Sequence, residues 1–86
     1  MKYEVRYVEW LDSTGLSRWN SLEEASKLVP DPCRTVGFVL KETATEVIII
    51  QSFTERLGNE QSADNCICIP RFAIVFEQLV RGADPA

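Results

Sequence analysis

Thr35-Val36-Gly37-Phe38-Val39-Leu40-Lys41-Glu42-Thr43-Ala44-Thr45-Glu46-Val47-Ile48-Ile49-Ile50-Gln51-Ser52-Phe53 is the stretch that decides the fold. Its two ends are rich in β-branched and aromatic residues, which suit a pleated, half-buried surface, and the polar connection Lys41 to Thr45 separates them. In the first run, Thr35 to Leu40, the residues Val36, Phe38 and Leu40 share a face. Gly37 stands between the first two, where a glycine marks a bend or a close backbone approach, so this strand is expected to curve from one part of a sheet into another. In the second run, Glu46 to Phe53, the β-branched residues Val47 to Ile50 follow one another directly and make both faces apolar.

Downstream, Asn65 to Ile69 and Ile74 to Leu79 read as two further strands, joined by a tight turn at Pro70-Arg71-Phe72. Between the second and third runs, the polar segment Thr54 to Asp64 contains Leu57-Gly58-Asn59. It is longer than an ordinary hairpin loop, and either lengthens its flanking strands before turning or is mobile. Upstream, Tyr3, Val5 and Tyr7 alternate with Glu4 and Arg6 as in a strand. The apolar parity then switches to Val8 and Trp10, so a bulge or bend is expected near Tyr7.

Leu11 to Asn20 is a loop with turn residues at Asp12-Ser13 and Gly15. Ser21-Leu22-Glu23-Glu24 is a capping box that starts a short helix of two turns, and Pro30-Asp31-Pro32 ends it. Leu22, Ala25, Leu28 and Val29 form its apolar stripe, and Glu23 and Lys27 are an i,i+4 pair. The expected architecture is all-β with one short helix: a five-stranded small barrel, the helix inserted between strands 1 and 2. A chain of 86 residues makes one domain, residues 1–86, with the tail from Val80 to Ala86 expected to fray.

Composition excludes several classes. With 45% hydrophobic and 26% charged residues the chain has globular proportions, without repeats or a low-complexity linker. Charges at Lys2, Glu4 and Arg6 occupy the place where a secretory signal needs an apolar run, and no run approaches a membrane span, so a cytoplasmic protein with no membrane contact is expected. The net charge is −4, and its nine Lys and Arg residues are never adjacent, which disfavours RNA as a partner. Histidine is absent, excluding Ser-His and Cys-His nucleophile pairs; there is no Gly-rich phosphate loop, and a pairing of Glu9 with Asp12 is best read as coincidence among 13 acidic residues. No enzyme, cofactor or metal is expected: Cys33, Cys66 and Cys68 have no metal-finger spacing and are read as buried small hydrophobes.

Alternation sends some of Ile48 or Ile50, Ile67 or Ile69, Val39 and Val75 outward, and burying each is worth about 1.5–3 kcal/mol. A two-turn helix covers only part of that surface. A second subunit is expected to cover the rest, by edge-to-edge strand pairing.

Val8-x-Trp10-x-Asp12-Ser13, Trp19-x-Ser21-Leu22-Glu23-Glu24-Ala25, Cys33-x-Thr35-Val36-Gly37-Phe38-Val39 and Ile67-x-Ile69-Pro70-x-x-Ala73-Ile74 together resemble a group of small phage and prophage proteins. Their fold is similar to the Sm-like variant of the SH3-type barrel. That resemblance implies a homo-oligomeric ring through pairing of strand 4 with strand 5, here Cys66, Ile67, Cys68 and Ile69 against Ile74, Val75 and Phe76. It also implies a host-cell cytoplasmic setting, with host or phage protein as a further partner. Sm proteins bind RNA, but the motif residues differ here. Arg81-Gly82-Ala83-Asp84 is similar to their second motif yet follows the final strand, Pro70-Arg71-Phe72 stands where that motif belongs, and Glu42-Thr43-Ala44-Thr45 lacks the Asn of the first.

The function expected is thus a non-enzymatic, oligomeric interaction module, with Sm-like RNA binding as the alternative. Core packing of Trp10 and Trp19 against the helix is the plain reading of the two indoles. For a partner contact, the segment carrying Trp10, Asp12, Ser13, Arg18 and Trp19 comes first, the Thr54 to Asp64 loop second and Arg71 third.

Overall fold

The computed structural model describes residues 2–56 and 59–85. Five strands follow in order, β1 (Val5–Asp12), β2 (Asp31–Glu42), β3 (Glu46–Arg56), β4 (Asn59–Pro70) and β5 (Ile74–Arg81), with a one-turn helix α1 (Leu22–Ala25) between β1 and β2 and a 3₁₀ turn, Arg71–Ala73, before β5. All pair antiparallel in a single sheet of order β4-β3-β2-β1-β5. The strands outrun the apolar runs that announced them. Most of the Thr54 to Asp64 segment lengthens β3 and β4, although Leu57 and Gly58 fall outside the described residues. Val80 and Arg81, expected to fray, belong to β5, where Arg81 stands opposite Val5.

The strand β2 is divided between two neighbours. Its whole length from Asp31 to Phe38 pairs with β1, whereas its pairing with β3 starts at Phe38 and ends at Glu42. Gly37 sits where the division falls and is buried; a Cβ built there would lie 2.7 Å from both Ile49 Cγ2 and the Ile50 carbonyl oxygen. The bend expected at this glycine is therefore a close backbone approach that a side chain would block. N-terminal to it, β2 and β3 part: among the described residues no backbone pairing joins Asp31–Gly37 to β3, and beyond Ile50 the β3–β4 hairpin pairs only with itself. The molecule is correspondingly long, 57 × 24 × 20 Å. A register shift at Leu40 takes that residue out of line with Val36 and Phe38.

One apolar cluster draws on every strand. Val8, Val39, Val47, Ile49 and Ile69 are buried together, with Trp10, Ile67 and Ile74 packed on them. Because β4 and β5 are the outermost strands, Ile69 and Ile74 can share a core with Val8 only if the sheet curls. Both outer edges nevertheless stay unpaired among the described residues, so the sheet is open and the closed barrel of the sequence reading is not what is seen.

Three expectations are corrected. The β1–β2 register runs unbroken from Val5 opposite Phe38 to Asp12 opposite Asp31, and the two register shifts that flank Tyr7 in the β1–β5 ladder put the extra residues, Val80 and Val75, on β5, so no bulge of β1 itself causes the parity switch. Val8 and Trp10 face the core, and the other parity carries a second aromatic layer instead. In it Tyr7 meets Phe76 edge-on, while Phe53 meets both Phe38 and Tyr3 with ring centroids 5.0 and 5.3 Å apart. Next, α1 has one turn, and every residue from Ser21 to Pro30 is exposed, so its stripe covers nothing in the sheet. The Ser21 hydroxyl does accept from the Glu24 N–H at 3.1 Å, and Lys27 meets Glu23 at 3.8 Å; local chemistry sets the turn without tertiary packing to extend it. Finally, Cys66 and Cys68 are exposed and Cys33 half-buried, not the buried hydrophobes expected.

The apolar surplus also lies elsewhere than the alternation of β3 suggests. Ile50, opposite Phe38, is 1% exposed, and Val39 and Ile69 are buried. Exposure concentrates on β5, at Val75, Phe76, Leu79 and Val80, and on the β1–β2 excursion.

Candidate functional site

Alternation along β1 places Arg6 on the same side as Val8, at one end of the core. Its side chain is 13% exposed and holds three carboxylates: Nη1 donates to Glu42 Oε2 at 2.8 Å and to Glu77 Oε1 at 2.9 Å, while Nη2 donates to Glu42 Oε1 at 3.0 Å and to Glu4. Arg71 closes the group from the 3₁₀ turn, donating through Nη1 to Glu77 at 3.2 Å and through Nη2 to Glu42. The bonds from Arg6, foremost, hold the Glu42 carboxyl below the usual carboxylate range, against the opposing effect of burial. In turn the bond to Glu42 leads in raising the Arg6 guanidinium, which stays charged throughout. The network follows from the backbone: Glu42 ends β2, Glu77 pairs opposite Val8, and the Arg71 N–H donates to the Thr45 carbonyl at 2.9 Å, tying the turn to the β2–β3 connection.

The residues singled out from sequence do not converge. Trp10 packs on the core, and its Nε1 donates to Thr35 Oγ1 at 3.0 Å. Trp19, expected to pack against the helix, is 100% exposed. Arg18 beside it adopts a positive φ of 71°, with its carbonyl accepting from Asn20 Nδ2. Asp12 and Ser13 line an apolar hollow of about 310 Å³ with Leu11, Pro30, Phe72 and Ala73. The chain thus brings the Asp12-Ser13 turn against the turn bearing Arg71, but the Arg71 guanidinium is taken up by Glu42 and Glu77. Glu9 and Asp12 engage different groups: Glu9 accepts from the Tyr7 hydroxyl at 2.5 Å, which raises the phenol above its ordinary range, and meets Arg34 at 3.5 Å, while Asp12 accepts from the Ser13 N–H.

On β4, Ile67 and Ile69 turn to the core while Cys66 and Cys68 face out. Desolvation, with the nearby Glu46 carboxylate, pushes the Cys68 thiol up. On β5, Ile74 joins the core, and Val75 and Phe76 are exposed. The Arg6 network escaped sequence reading, although a signal existed: Arg6 shares the parity of Val8 and Trp10, and a charge on a core-facing parity requires partners. Among the described residues no group of three or more His, Cys, Asp or Glu is arranged to hold a metal, and no helix is long and apolar enough to cross a membrane.

A second concavity, about 260 Å³, occupies the fork where β2 and β3 part, with Ile49 and Ile67 beneath Thr35, Gln51 and Asn65. No known protein family, curated protein or solved structure matches this chain.

Proposed function

We propose that the chain is a non-enzymatic interaction module with an Sm-like, curled sheet, which assembles with copies of itself by pairing β4 of one with β5 of the next. By resemblance, such assembly closes a ring and acts on protein partners in the cytoplasm of a phage host. The observation that carries the reading is the strand order: it leaves two unlike edges free, at opposite sides of one sheet, and β5 bears the exposed Val75, Phe76, Leu79 and Val80. Unlike edges pair head to tail and turn each successive copy by a fixed angle, which gives a ring where that angle closes the circle and a helical filament where it does not.

Magnitudes favour a closed assembly. The four β5 side chains are each roughly half exposed, so covering them is worth about 1 kcal/mol apiece. Edge hydrogen bonds add about 1 kcal/mol each. With a few such bonds one contact reaches about 8 kcal/mol, inside the range of association costs of about 4–15 kcal/mol, whereas a ring holds every subunit twice.

RNA binding has less support. Arg71, the cation nearest the position where the Sm resemblance puts an RNA-reading arginine, is bound by Glu42 and Glu77, and the net charge is −4. Light scattering behind a sizing column tests the assembly, and a monomer at micromolar concentration refutes it. The exposed Cys66 and Cys68 provide a built-in probe of the pairing. Under mild oxidation, Gln78→Cys or Val80→Cys on β5 is expected to yield a disulfide ladder of covalent multimers that the unaltered chain does not form.

A further inference from the structure

The fork between β2 and β3 is a different kind of surface from the outer edges. Two strands face each other across it with their main-chain groups unpaired on the facing sides: Asp31–Gly37 of β2 and, on β3, the residues beyond Ile50. Gly37, against the Ile50 carbonyl, is the apex. The floor is apolar, Ile49 and Ile67, and the rim offers hydrogen-bonding side chains at Thr35, Gln51 and Asn65. Gln51 and Asn65 are held in place by each other, Asn65 Nδ2 donating to Gln51 Oε1 at 3.0 Å, with Asn65 in a left-handed conformation at φ 51°. Arg34 stands at the mouth, its side chain 78% exposed and its Nε 3.5 Å from Glu9 Oε2, an exposed pair that a ligand carboxylate can compete with, and no carboxylate is among the described residues that line the cleft.

We propose that this fork is a binding slot for an extended peptide of a partner protein, carrying an apolar side chain flanked by acidic ones. Facing strand edges without main-chain partners satisfy a third strand and little else, because an extended backbone alone supplies donors and acceptors along both of its sides. The volume, about 260 Å³, falls below that of sites for drug-sized ligands and suits one or two side chains set down on Ile49 and Ile67. Arg34 supplies the charge that selects a carboxylate at the mouth. The main-chain edges of the slot belong to β2 and β3 and not to the outer edges of β4 and β5, although β4 supplies Ile67 to its floor and Asn65 to its rim.

The test is a ¹⁵N heteronuclear titration of the full chain with capped pentapeptides: alternating Glu and Val, alternating Lys and Val, and the Glu-Val peptide with its valine nitrogens methylated. The acidic peptide is expected to move the amide signals of Thr35, Val36, Gln51 and Asn65, and to bind about threefold more tightly than the basic one, the effect of one exposed ion pair. Methylation removes the main-chain donors along one side of the extended peptide, breaking its ladder to one of the two facing strands, and is expected to abolish the shifts. Arg34→Glu, a change at an exposed position, reverses the preference toward the Lys-Val peptide. Shifts confined to Ile74–Arg81, equal binding of both peptides, survival of binding after methylation, or no shift at millimolar peptide would each overturn the assignment.

Discussion

Replacing Gly37 with alanine puts the bend of β2 to the test. The new Cβ would stand 2.7 Å from Ile49 Cγ2 and from the Ile50 carbonyl oxygen, closer than side-chain carbons are found to either kind of atom. Neither neighbour yields easily. Ile49 is 1% exposed and packed in the core, and the Ile50 carbonyl belongs to the backbone at the point where β2–β3 pairing begins. Overpacking of this kind costs about 1–3 kcal/mol, and a backbone contact puts the expectation near 3. Alanine recovers about 0.5–1 kcal/mol because it loses less freedom than glycine on entering a strand. The net loss is therefore about 2 kcal/mol, which for a domain of this size lowers Tm by roughly 8–16 °C. Thermal and urea unfolding followed by circular dichroism measure it, with Gly15→Ala as the control, since nothing lies within 4 Å of a Cβ there. A Gly37→Ala protein within 0.5 kcal/mol of the unaltered one would refute the close-approach account of the bend.

Three other outcomes are expected. Arg6→Met leaves Glu4, Glu42 and Glu77 facing one another without their shared cation; a loss of about 2 kcal/mol, between the values for exposed and for buried pairs, is expected in urea unfolding at pH 7. Because Glu42 is held below its unfolded value near 4.5, the unfolded chain binds the proton more readily; the stabilisation is present above that pH and is lost as pH falls through the folded value. Urea midpoints between pH 7 and pH 3 should accordingly fall less steeply in Arg6→Met than in the unaltered chain, and equal slopes would contradict the network. Trp19→Phe should leave stability within about 0.5 kcal/mol while removing the fluorescence that iodide quenches, whereas Trp10→Phe should cost about 1 kcal/mol through the lost bond to Thr35 and leave the quenchable emission in place.

What the sequence discloses here depends on whether a feature is local. The strand cores, the bend at Gly37, the capping box at Ser21 and the turn after Pro70 are each written in a few adjacent residues, and each is present in the structure. Tyr7 shows the limit. A parity switch has two causes, a bulge or a strand apolar on both sides, and only the partners Phe38, Phe53 and Phe76, distant in the chain, distinguish them. The same holds for Trp19, because whether an aromatic packs depends on where its loop is carried, and Trp19 is left fully exposed. Of the residues named for strand pairing on β5, Ile74 packs on the core while Val75 and Phe76 are exposed, a division that alternation alone does not reveal. Nor was the Arg6 network legible, since its members Glu4, Glu42, Glu77 and Arg71 come from four separate segments.

The place of β1 in the sheet has a consequence for folding. It lies between β2 and β5, so Arg6 waits for Leu79, and Trp10 for Ile74, before their ladder can form. Until β5 is present, Val8 has a neighbour on one flank only, so the core closes through contacts between residues far apart in the chain, the kind of pairing that slows folding.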